Sequence, residues 1–142
     1  MPDYPQSIDG LIDANMVFPA AVMEAVEAFA GSKPWRGDLE TRRMKFQKLN
    51  ADLATATGVT SPTLTFSGND HGDSGNSCYS RELNVIGLDG KLSVITFLHE
   101  WGHVIHGSSE VDACRWSLNL FQRCFPWSWA RLRFEGHMAR RL

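Results

Sequence analysis

Two histidines and a glutamate within five residues, His99-Glu100-Trp101-Gly102-His103, are the part of this chain best equipped to do chemistry. On a helix, residues four apart share a face and lie about 6 Å apart along the axis. That spacing lets both imidazoles reach a single zinc ion. Glu100 then stands where it can take a proton from water held by the zinc. The pattern acquires meaning from its setting, which must supply a helix around it and a third ligand downstream.

A helix is readily read. Residues 91–106 run Lys-Leu-Ser-Val-Ile-Thr-Phe-Leu-His-Glu-Trp-Gly-His-Val-Ile-His, and Gly107 is the natural stop. At about 100° per residue, Val94, Phe97, Leu98, Trp101, Val104 and Ile105 form one apolar stripe. His99, His103 and His106 gather on the other side. One face belongs in a core and the other lines a cleft. The competing reading is an amphipathic helix whose polar side happens to carry histidines, and it leaves the placement of Glu100 unexplained.

The third ligand follows from the same geometry. Ser108 and Ser109 are good N-cap residues, and a second helical pattern runs from Glu110 to about Phe125. Val111, Ala113, Cys114, Ser117, Leu118, Leu120, Phe121, Cys124 and Phe125 define its inward face; Asp112, Arg115, Asn119, Gln122 and Arg123 fall outward. Glu110 lies near the middle of the inward face. A carboxylate aimed at a core is costly unless paired or bound to metal, and zinc on the preceding helix is such a partner. Against this, Glu110 can be a first-turn acid that complements the helix dipole. Asp112 is the runner-up ligand, with a better claim as a capping-box acid facing solvent. His106 lies about 10 Å beyond His99 on a straight helix, too far to converge, and is assigned a supporting or cleft-lining place.

These residues resemble a family. His99-Glu100-Trp101-Gly102-His103 followed by Glu110-Val111-Asp112-Ala113 is similar to the gluzincin pattern, in which a His-Glu-x-x-His helix precedes one opening with Glu-x-x-Ala. The likeness is greatest to the small ImmA/IrrE-type metallopeptidases and covers roughly residues 77–125. It implies an α+β, zincin-like fold, with His99, His103 and Glu110 as ligands of one Zn²⁺ per chain and Glu100 as general base. Cys78-Tyr79 and Asn84-Val85-Ile86-Gly87-Leu88 resemble the strand that borders the cleft in such proteins, whose edge can pair with an extended peptide. The chain departs from the family at Cys114, where Asp or Asn usually steadies a ligand histidine; a thiol is a weak hydrogen-bonding partner. The link between the two helices is also very short.

The remaining elements must position this pair. Residues 1–17, punctuated by Pro and Asp, read as a partly loose lead-in. Phe18 to Ala30 reads as a helix through Val22, Val26 and Phe29, ended by Gly31. Asp38 to about Thr57 is a long charged helix carrying Leu39, Met44, Phe46, Leu49 and Leu53, stopped by Gly58. Residues 62–66 alternate as a short strand, residues 67–77 form a polar, glycine-rich loop, and residues 77–88 supply one or two strands with a turn at Arg81-Glu82. If the loop flanks the cleft, His71 and Asp70 are candidates to touch substrate, although most loop histidines have no such role. Tyr79 is a candidate to steady an oxyanion, set against half-buried packing. The tail, residues 126–142, reads as a terminal helical segment that packs its tryptophans and keeps its arginines wet.

Composition agrees with one small domain. A chain of 142 residues, 43 % hydrophobic, can bury one core and hardly two. The net charge of −2 gives no electrostatic case for nucleic acid. No apolar run approaches the roughly 20 residues of a membrane span. Met1-Pro2-Asp3-Tyr4-Pro5 lacks the basic-then-apolar order of a secretion signal. The three cysteines are odd in number and include no Cys-x-x-Cys. Cys114 and Cys124 stand about 15 Å apart on one helix, beyond disulfide reach. The expectation is a cytoplasmic protein, although a mature secreted form would share this beginning.

Taken together, the sequence leads to a zinc-dependent peptidase that acts on a peptide or protein through metal-activated water and Glu100. The alternative is a zinc-binding regulatory or structural module with little hydrolysis, working through a protein partner. In that case His106 or Asp112 would be the natural fourth ligand, since a structural zinc has four protein ligands and a catalytic zinc keeps one position open.

Overall fold

Polar caps and glycines set the helix boundaries. The computed structural model describes residues 9–67, 77–135 and 138–141. Helix α1 (Ala20–Gly31) starts behind Pro19. Helix α2 (Leu39–Thr57) opens where the Asp38 carboxylate accepts from the Thr41 N–H at 2.8 Å, and closes at Gly58 in the left-handed conformation. Strands β1 (Thr63–Phe66), β2 (Cys78–Ser80) and β3 (Val85–Leu88) follow. Helix α3 (Val94–His106) is opened by the Ser93 hydroxyl accepting from Thr96 N–H, and ends at Gly107 with φ of 78°. Helix α4 (Glu110–Cys124) is opened by Ser109, whose hydroxyl accepts from Asp112 N–H at 3.1 Å. Asp112 is thus the third residue of α4 and faces solvent. A one-turn helix α5 (Pro126–Ala130) and strands β4 (Leu132–Glu135) and β5 (Met138–Arg141) complete the chain.

The architecture is α+β. Strand β3 is central, paired parallel with β1 and antiparallel with β2, with Ile86 opposite both Leu64 and Tyr79. Ile86 and Leu88 point into a core shared with Val22, Val26 and Phe29 of α1, Phe46, Leu49 and Leu53 of α2, and Phe97, Leu98 and Trp101 of α3. Phe46 meets Phe29 and Phe97 edge to face, with ring centroids 5.0 and 5.3 Å apart. One buried polar link orients α3: the Trp101 indole donates to Asn50 Oδ1 at 2.9 Å, and Asn50 Nδ2 donates to the Pro62 carbonyl at 2.8 Å. These bonds tie α3 to α2 and to the start of β1. Among the described residues, no helix is long and apolar enough to cross a membrane.

Two expectations change, for Asn119 and for the tail. Asn119, assigned outward, is fully buried: its amide donates to the carbonyls of Leu11 and Arg115, and its oxygen accepts from Asp13 N–H. The second half of the lead-in is therefore anchored, with a 3₁₀ turn at Asp9–Leu11 and Leu11 buried. Met44 stands exposed beside the buried stripe of α2, which runs through Phe46, Leu49 and Leu53. The tail is helical only to Ala130; beyond it β4 and β5 pair antiparallel. Leu132 and Phe134 alternate with Arg131 and Arg133, a period-two pattern that suits a strand. Trp129 packs against Phe121, whereas Trp127 is 83 % exposed.

Candidate metal centre

The site depends on how closely α4 can approach α3. A Cβ added at Gly102 would lie 2.8 Å from the Ala113 Cα and carbonyl oxygen and 3.1 Å from its Cβ. Glycine in a helix interior costs about 1 kcal/mol relative to alanine. Here it lets the backbone of α4 lie directly against α3, and the link at residues 107–109 is short enough to hold the two together. The sequence reading gave Gly102 no role. An interior glycine on a helix otherwise rich in apolar residues was the available signal.

At that crossing three side chains converge. His99 Nε2 lies 3.1 Å from Glu110 Oε2, and His103 Nε2 lies 3.0 Å from Glu110 Oε1, so the carboxylate spans both rings. One donor atom from each of His99, His103 and Glu110 falls within a 4.8 Å cluster. All three are half-buried, open enough to admit a ligand and dry enough to strengthen charge interactions. Ligands on a tetrahedral zinc, at about 2.0–2.2 Å from the ion, stand about 3.3 Å apart. The two histidine–Glu110 spacings, each to a different carboxylate oxygen, are within a few tenths of an ångström of that. Two imidazole nitrogens and a carboxylate oxygen are also suitable donors, so the residues present could hold a metal ion.

Both rings are held from behind. His103 Nδ1 faces the Gly107 carbonyl at 2.7 Å. A carbonyl only accepts, so Nδ1 carries a hydrogen and Nε2 is the ring nitrogen turned toward the cluster. Gly107 makes this possible by turning out of the helix at positive φ, with Arg81 packed where a side chain would project. His99 Nδ1 lies 3.7 Å from Cys114 Sγ. Burial pushes the His99 imidazole below its ordinary range, against the opposing pull of the Glu110 carboxylate. A neutral ring is the form that ligates.

Glu100 is 8 % exposed. Burial raises its carboxyl to about 7; His103 lowers it and the Glu110 charge raises it further. A carboxylate with its proton affinity near neutrality can both take and give a proton.

The other candidates are placed as follows. His106, the last residue of α3, is exposed and lies outside the cluster, as does exposed Asp112. The Tyr79 hydroxyl donates to Asn84 Oδ1 at 3.1 Å and so serves the β2–β3 turn. His71 and Asp70 lie outside the described residues. Cys124 is partly buried, and burial pushes its thiol up to about 11, as fits a packing cysteine. Protein-family models, curated proteins and solved structures yield no match to this chain.

Proposed function

We propose that this protein is a zinc-dependent peptidase of zincin type, resembling the small gluzincins, with His99, His103 and Glu110 as ligands and Glu100 as general base. The observation that carries this reading is the convergence of two imidazole Nε2 atoms on the two oxygens of one carboxylate, with a buried glutamate on the same helix as the histidines. A zinc ion bound there supplies Lewis acidity toward a water and a peptide carbonyl. Glu100 takes a proton from the attacking water as the carbonyl carbon becomes tetrahedral, then delivers it to the departing amine. Its burial leaves it a stronger base than an exposed carboxylate. The Gly107 carbonyl and the Cys114 sulfur hold the two imidazoles facing the cluster, so that little reorganisation accompanies the reaction.

The test compares wild type with Glu100→Gln for zinc content and for hydrolysis of a mixture of unstructured peptides, read by mass spectrometry. Expected are about one zinc in each protein, cleavage by the wild type, and a loss of at least about 100-fold in the variant. Full activity in zinc-loaded Glu100→Gln would overturn the mechanism. One zinc in a wild type that cleaves nothing would favour the regulatory or structural zinc module.

A further inference from the structure

The two histidines are supported unequally from behind. The group behind His103 is a backbone carbonyl at 2.7 Å, a full-strength acceptor. The group behind His99 is the Cys114 sulfur at 3.7 Å, a weak one. Cys114 is only 7 % exposed, so water has little access to strengthen that support. It sits one turn after Glu110 on α4, beside the Ala113 that packs against Gly102. The helix contact that brings the carboxylate to the cluster therefore also fixes where the sulfur lies. When His99 Nε2 ligates, its Nδ1 hydrogen must point at this sulfur. An imidazole that donates to a strong acceptor is oriented more firmly and is a better electron donor at its other nitrogen.

We propose that Cys114 is a positioning residue that makes His99 the weaker and more readily released of the two imidazole ligands. The proposal rests on the metal-centre reading above. It places the metal affinity below what the same three ligands could reach with an oxygen acceptor behind His99, and the shortfall belongs to one arm of the site.

The experiment measures zinc affinity of the full chain by competition with a chromophoric chelator. The variants are Cys114→Ala, Cys114→Asn, His99→Ala and the double variant His99→Ala/Cys114→Asn. Cys114→Asn is expected to tighten zinc by about 10-fold and Cys114→Ala to weaken it by a similar factor. The asparagine effect should vanish in the His99→Ala background, because it acts only through that ring. A general packing change would persist there. The visible spectrum of bound Co²⁺ should shift in Cys114→Asn, which keeps the test open if the alanine variant folds poorly. Affinities within twofold of wild type in both single variants, with an unchanged Co²⁺ spectrum, would overturn the role of Cys114 and leave the zinc site standing. A folded wild type that takes up no zinc would overturn both readings.

Discussion

Two helix pairs in this molecule are spaced by different means. Helices α1 and α2 are held apart and held together by large side chains, with Val22, Val26 and Phe29 meeting Phe46, Leu49 and Leu53 in a dry contact. Helices α3 and α4 meet through Gly102 and Ala113, almost backbone on backbone, with His99, His103 and Glu110 converging at the crossing. The first pair gains stability in proportion to the apolar area it buries. The second forgoes some of that gain, since it carries an interior glycine and buries a carboxylate. Helix α3 can do so because its opposite face, through Phe97, Leu98 and Trp101, belongs to the same dry core as the first pair. One face stabilises the helix so that the other is free to hold polar groups.

The contrast can be broken at either end. Phe46→Ala removes a fully buried ring from the dry core and should cost about 3–5 kcal/mol in urea unfolding, while the folded fraction keeps its zinc stoichiometry. A simultaneous loss of zinc from the folded fraction would show that the two pairs are not separable. Gly102→Ala should do the reverse. It favours an isolated helix, yet its methyl group meets the Ala113 backbone, so overpacking costs about 1–3 kcal/mol. Zinc affinity should fall by about 10-fold or more, as Glu110 is pushed away from the two rings. Unchanged affinity would mean that close helix approach does not set the site.

A smaller and pH-dependent effect sharpens the comparison. In chelator-treated protein the Glu100 carboxyl is raised from its ordinary 4.5 to about 7, so the folded state binds its proton more tightly than the unfolded chain does. Its burial therefore costs nothing below about pH 4.5; the penalty grows between 4.5 and 7 and is complete above 7. Metal-free Glu100→Gln should equal wild type in stability near pH 4.5 and exceed it by about 1–3 kcal/mol at pH 8. Unfolding curves at the two pH values check this, and an equal gap at both would remove the titration argument.

Much of the candidate site was legible in the chain. The apolar stripe of α3 and the spacing of His99 and His103 follow from helical periodicity, a local property. Ser109 marks the start of α4 because an N-cap needs only neighbouring N–H groups, and that start sets Glu110 on the inward face. The carboxylate then meets both histidines, as the cost of an unpaired buried charge suggested. Asn119 was misplaced because polarity alone argued for solvent, whereas the backbone of residues 11–13 offered it partners from more than 100 positions away. The tail was misread because aromatic and arginine residues occur in both helices and strands, and only the alternation after Arg131 separates the two.

The sequence by itself determined the four longer helices and the two histidines and one glutamate that can share a metal, because these depend on periodicity and on bonds a few residues long. Only the tertiary structure decided how near α4 comes to α3, and which groups stand behind the two rings. Those depend on what a glycine leaves empty and on what a distant backbone fills, quantities that no local pattern carries.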